Sequence, residues 1–158
     1  MARARLLFMV VAAILIPACG GGGGGGGSTP ATPEEQCLAH LQALYAAMQQ
    51  YKTDNGAYPS DTGGNFWIRL SISGPPYVTD LSLYGCPVKA IAPPPGTTDY
   101  RGPASDANGY TPTQIIGADK VTNHGASAGG YVLLKNGTIQ LVPSTDPLWF
   151  QASAETTN

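Results

Sequence analysis

Charge is what this chain has least of: eight Lys and Arg and ten Asp and Glu are spread over 158 residues, 11% of the chain, where soluble domains average about 25%. The bases fall singly, so no basic stripe is available to neutralise a phosphate backbone, and nucleic acid is excluded as a partner class. An acidic tail is absent too. No apolar run reaches the ~20 residues that span a bilayer; Leu6 to Ile16 is eleven residues long. Cysteine is scarce at three, with no Cys-x-x-Cys spacing, and the two histidines stand at spacings that suggest no metal ligand set. The length allows one domain.

What is abundant is glycine, 21 residues, and proline, 14 residues. Eight of the glycines form the uninterrupted run Gly20 to Gly27, which cannot enter a packed core and reads as a tether. Ahead of it, Arg3 and Arg5 precede the apolar stretch Leu6 to Ile16, the layout of an export signal over residues 1–18. Ile16-Pro17-Ala18-Cys19-Gly20 resembles the lipobox of bacterial lipoproteins. That resemblance implies cleavage before Cys19, a diacylglycerol and palmitate-type acyl chain on Cys19, and, because Gly20 rather than an acid follows, an outer-membrane address. Residues 19–31 then form the tether, with a root-mean-square span of roughly 20 Å.

Lipidation of Cys19 resolves the odd cysteine count. Cys37 and Cys86 remain as a candidate disulfide in an oxidising compartment, with two buried free thiols as the alternative.

Thr32-Pro33-Glu34-Glu35 reads as a helix start, with Thr32 as N-cap, Pro33 in the first turn and Glu35 closing a capping box. Cys37, Leu38, Leu41, Leu44, Tyr45, Met48 and Tyr51 then recur at helical spacing until Asn55-Gly56 stops the pattern. His40 lies on the flank of that stripe, as a structural histidine. From Gly56 to Gly130 the frequent Gly and Pro residues leave room only for a short helix near Asn65 to Leu70 and for weak strands at Tyr77-Val78, Tyr100-Arg101 and Gln114 to Ile116. Tyr131 to Lys135 and Thr138 to Val142 flank Asn136-Gly137, which predicts a two-residue type I′ hairpin. Pairing Leu134 with Ile139 and Val132 with Leu141 places those four residues on one apolar face, suited to the helix stripe. The predicted class is α+β, one long helix on a small antiparallel sheet, over residues 32–150, with 151–158 as a disordered tail.

The segment Gln50-Tyr51-Lys52-Thr53-Asp54-Asn55-Gly56-Ala57-Tyr58-Pro59, closing the helix, resembles type IV pilin-like proteins, above all the major pseudopilins of type II secretion. Ile116 to Lys120, Asn123-His124-Gly125 and the Asn136-Gly137 turn are similar to the prepilin-like proteins named for a His, a spacer and an Asp-Gly pair. The likeness spans Cys37 to Val142 and implies a long helix laid on an antiparallel sheet. Asn136 stands where that family has Asp, and the prepilin cleavage motif is missing. The expectation is therefore a pilin-type domain displayed as a lipoprotein, non-enzymatic, contacting the membrane through its anchor and envelope, secretion or pilus proteins through its domain.

Three other readings stand beside it. Asp99, Asp106 and Asp119 lie in loop-rich sequence of the kind that holds calcium in some pseudopilins, which makes a calcium- or small-ligand-binding module the alternative. Trp67, Tyr84 and Tyr110 would bind glycan or peptide if exposed, although Phe66 and Trp67 are more natural in a core. His124 with Ser127 and Asp119 is a weak hydrolase signal.

Overall fold

The computed structural model describes residues 31–89, 91–125 and 128–158. The expected leader and Cys19, with the tether up to residue 30, lie outside the described residues, as does Ser127. Helix α1 runs Pro33–Asn55 with every expected boundary device. The Thr32 hydroxyl accepts from the Glu35 amide, the Glu35 carboxylate accepts from the Thr32 amide, and Gly56 closes the helix in the left-handed region at φ 78°. Cys37, Leu41, Leu44 and Met48 form its buried stripe. No described helix is long and apolar enough to cross a membrane.

Helix α2, Gly64–Ile72, packs Phe66, Trp67 and Leu70 inward. Phe66 and Trp67 meet edge to face with ring centroids 4.9 Å apart, and the indole N–H donates to the Arg101 carbonyl at 3.0 Å. A short 3-10 turn, Leu81–Tyr84, leads to Cys86. Strands β1 (Tyr100–Pro103), β2 (Ile115–Asp119), β3 (Gly130–Leu134) and β4 (Ile139–Val142) form an antiparallel meander. Helix α3, Pro147–Glu155, and the two-residue β5, Thr156–Thr157, complete the chain, giving the sheet order β4-β3-β2-β1-β5. The molecule is of mixed α+β class. Tyr77-Val78, expected as a strand, instead donates both amides to the Leu70 carbonyl at the end of α2.

Two further expectations are corrected. The β3–β4 turn is not type I′, because among the described residues only glycines have positive φ, so Asn136 does not occupy the first left-handed position. Gly137 donates to the Leu134 carbonyl, Leu134 donates to the Thr138 carbonyl, and Gly137 alone is left-handed at φ 92°. That is a three-residue loop with a bulge, and it slips the register by one: Leu133 faces Ile139, Val132 faces Gln140 and Tyr131 faces Leu141. Leu133 and Tyr131 consequently join the core beneath α1, while Val132 and Leu134 point to the other face. There Trp149 and Ala152 of α3 cover Ile115, Ala118, Val132 and Val142.

The second correction concerns residues 151–158, which are no tail. Gln151 to Glu155 belong to α3, and Thr156 and Thr157 pair with Pro103 and Gly102 on the free edge of β1. The Glu155 carboxylate also accepts from the Ile115 amide at 2.7 Å, beside the end of β2.

Candidate functional site

The sheet and α1 bring four side chains from four separate parts of the chain to one place. Cys37 lies in the second turn of α1, where the capping box fixes the helix start, and Cys86 follows the 3-10 turn. They form a disulfide with Cα atoms 5.4 Å apart, across a sequence separation of 49. Asp119 ends β2, on the α1 face opposite Tyr131, and His124 lies in the loop that returns to β3. The His124 Nε2 is 3.0 Å from Asp119 Oδ2 and 3.6 Å from Cys86 Sγ.

Asp119 is wholly buried, and its carboxylate is held from three sides. The Tyr131 amide donates to Oδ2 at 2.7 Å, the Asn123 side-chain amide donates to Oδ1 at 3.0 Å, and His124 closes the set. A Cβ on Gly130 would stand 2.8 Å from Asp119 Cβ and 3.0 Å from Oδ2, so only glycine admits the carboxylate at this depth. The hydrogen bond to Asp119 raises the His124 pKa against the opposing effect of burial. Next to the pair, Arg101 donates from Nε to the Asp119 carbonyl and stacks over the Trp149 ring at 5.1 Å. Burial lowers the Arg101 pKa, with the Asp119 charge working the other way.

Asp99 serves the same region from the bend just before β1. One carboxylate oxygen accepts from the Cys86 amide at 3.1 Å and the other pairs with Lys89, so Asp99 fixes the segment that carries Cys86. Asp106 is elsewhere, exposed and capping a 3-10 turn through the Asn108 amide. The three aspartates proposed for calcium therefore do not converge. Among the described residues, the grouping of ligand-type atoms that does form is Cys37, Cys86, Asp119 and His124, all within 4.8 Å of one another. Its signal in the sequence was confined to the cysteine count; nothing local joins Asp119 and His124 to the sulfurs.

Trp67, Tyr84 and Tyr110 form no exposed platform. Trp67 and Tyr84 are core residues, and the half-buried Tyr110 commits its hydroxyl to the Glu155 carbonyl and to Ser105. His40 is structural, with Nδ1 2.9 Å from the Gly85 carbonyl.

Cys86 also borders an open groove of about 800 Å³ between the first turns of α1 and the segment Pro93 to Pro95. Ile68, Ile72 and Leu81 line it, and Ile72 and Leu81 are 65% and 59% exposed. Sequence reasoning missed this groove because its walls come from four segments, none apolar over any length. Comparison of the chain with known protein families, curated proteins and solved structures returned no match.

Proposed function

We propose that this protein is an exported, lipid-anchored envelope protein whose globular part is a pilin-like, pseudopilin-type domain with a non-enzymatic structural or interaction role. The observation that carries this reading is the arrangement of α1: a 23-residue helix, fixed at Thr32 by a capping box, laid across β3 of an antiparallel meander. The expected tether, residues 19–31, runs up to Thr32, so the helix begins where the tether stops. The Cys37–Cys86 disulfide agrees with an oxidising compartment, and the lipobox-like Ile16 to Cys19 supplies the anchor. The groove beside the start of α1 offers an apolar surface for an envelope partner.

The same groove favours a second reading, a periplasmic module for a small apolar ligand with no link to secretion or pilus machinery. Affinity purification from detergent-solubilised membranes separates the two. Recovery of pilin or secretion components supports the first; their absence, with a melting temperature raised by a small apolar ligand and unchanged by calcium, supports the second. A Cys19→Ala protein that still fractionates with membranes removes the anchor from either.

A further inference from the structure

A disulfide flanked by a buried histidine and a buried aspartate is an uneven use of four side chains. The sulfurs of a disulfide accept hydrogen bonds weakly, yet Asp119 and His124 bring polar atoms to them in a site where Cys37 and Asp119 are fully buried, Cys86 is 2% exposed and the His124 side chain 7%. Burying a carboxylate and an imidazole beside such a bond gains little from the sulfurs themselves. The set has a use once the bond is open. Two thiolates, an imidazole nitrogen and a carboxylate oxygen are the donors of a tetrahedral zinc centre.

We propose that Cys37, Cys86, Asp119 and His124 form a redox-gated site for Zn²⁺, closed by the disulfide and opened by its reduction. The geometry suits that ion. Ligand atoms around tetrahedral zinc stand roughly 3.3–3.8 Å apart, given Zn–N and Zn–O of about 2.0–2.1 Å and Zn–S of about 2.3 Å. His124 Nε2 already lies 3.0 Å from Asp119 Oδ2 and 3.6 Å from Cys86 Sγ, and all four ligand atoms fall within 4.8 Å of one another. The carboxylate is pre-oriented by the Tyr131 amide and the Asn123 side chain, the outer contacts that metal-binding carboxylates require. Sulfur and imidazole donors select zinc over calcium or magnesium.

The chemistry balances with a dithiol reductant. It gives two electrons and two protons to the Cys37–Cys86 bond and closes to its own disulfide, leaving two thiols; Zn²⁺ then displaces both thiol protons to solvent and takes the place of the proton on His124 Nε2, which goes to solvent from the imidazolium or moves to Nδ1 in the neutral ring. Zinc and the disulfide are thus alternative occupants of one centre.

The test uses the full chain carrying Cys19→Ser, so that Cys37 and Cys86 are its only thiols, with a phosphine as reductant, which is oxidised to the phosphine oxide and contributes no competing thiol. Titration with Co²⁺ reads the site. The expected result is one equivalent bound after reduction, with a thiolate-to-metal charge-transfer band and the intense visible bands of a tetrahedral ion, bleached by Zn²⁺ and absent from the oxidised protein. His124→Gln should weaken binding tenfold or more. A reduced protein that keeps its native circular dichroism and shows no band overturns the proposal. So does an unchanged affinity in His124→Gln, or a reduced protein that loses its native signal and fails to regain it with one equivalent of Zn²⁺.

Discussion

His124 Nε2 and Asp119 Oδ2 face each other at 3.0 Å beneath α1, joining the loop before β3 to the end of β2. Because the Asp119 hydrogen bond raises the histidine pKa in the folded chain, the pair stabilises the protonated state. Its contribution is complete below the ordinary histidine value of about 6.5 and is lost as pH rises through the higher folded value. With the disulfide intact, the melting temperature should fall as pH is raised from about 6 through that value. His124→Gln should flatten this part of the profile, and an NMR titration should place the His124 midpoint above that of a free imidazole.

Gly130 is the position on which the depth of Asp119 depends. An alanine there must displace Asp119 and also meets Trp149 at 3.2 Å. Gly130→Ala should lower stability by about 1–3 kcal/mol, the range for overpacking, and move the His124 midpoint down toward its unperturbed value. Urea unfolding with the same NMR titration reads both.

Deleting residues 151–158 should behave as the loss of a structural element. It removes Ala152 from beneath the sheet, the Glu155 bonds to Ile115 and Ala104, and the β5 pairing to β1. The expected loss is about 3 kcal/mol or more, against about 0.5 kcal/mol for an ordinary surface change. Thermal unfolding of chains ending at 150 and at 158 makes the comparison.

How legible these elements were follows from how local their causes are. Helix α1 could be read whole, because the Thr32 to Glu35 capping box, the apolar spacing and Gly56 all lie within the segment they determine. The hairpin was legible as a hairpin but not in register. Asn136-Gly137 is compatible with both loop types, and Tyr131 to Leu134 is apolar on both faces, so alternation cannot choose between them. What decides is α3 on the far side of the sheet, whose start was in fact signalled by Asp146 as N-cap followed by Pro147. The pairing of Cys37 with Cys86 followed from counting cysteines. The approach of Asp119 and His124 to that pair depends on the β2–β3 register and on Gly130, and no spacing in the chain encodes it.

The disulfide should matter thermodynamically as well as chemically. Replacing Cys37 and Cys86 together by Ala frees a loop across a separation of 49 residues and empties two buried positions. A loss of about 2–5 kcal/mol is expected, with a lower urea midpoint.

The proposed anchoring of the α+β domain at the membrane by a lipid on Cys19 is tested most directly by the intact mass of the protein extracted from membranes with detergent. The expected mass is that of a chain beginning at Cys19, heavier than the polypeptide by a diacylglycerol and an acyl group, and lighter by two hydrogens for the Cys37–Cys86 bond. A mature chain with an unmodified Cys19, or one cut at another residue, would contradict it.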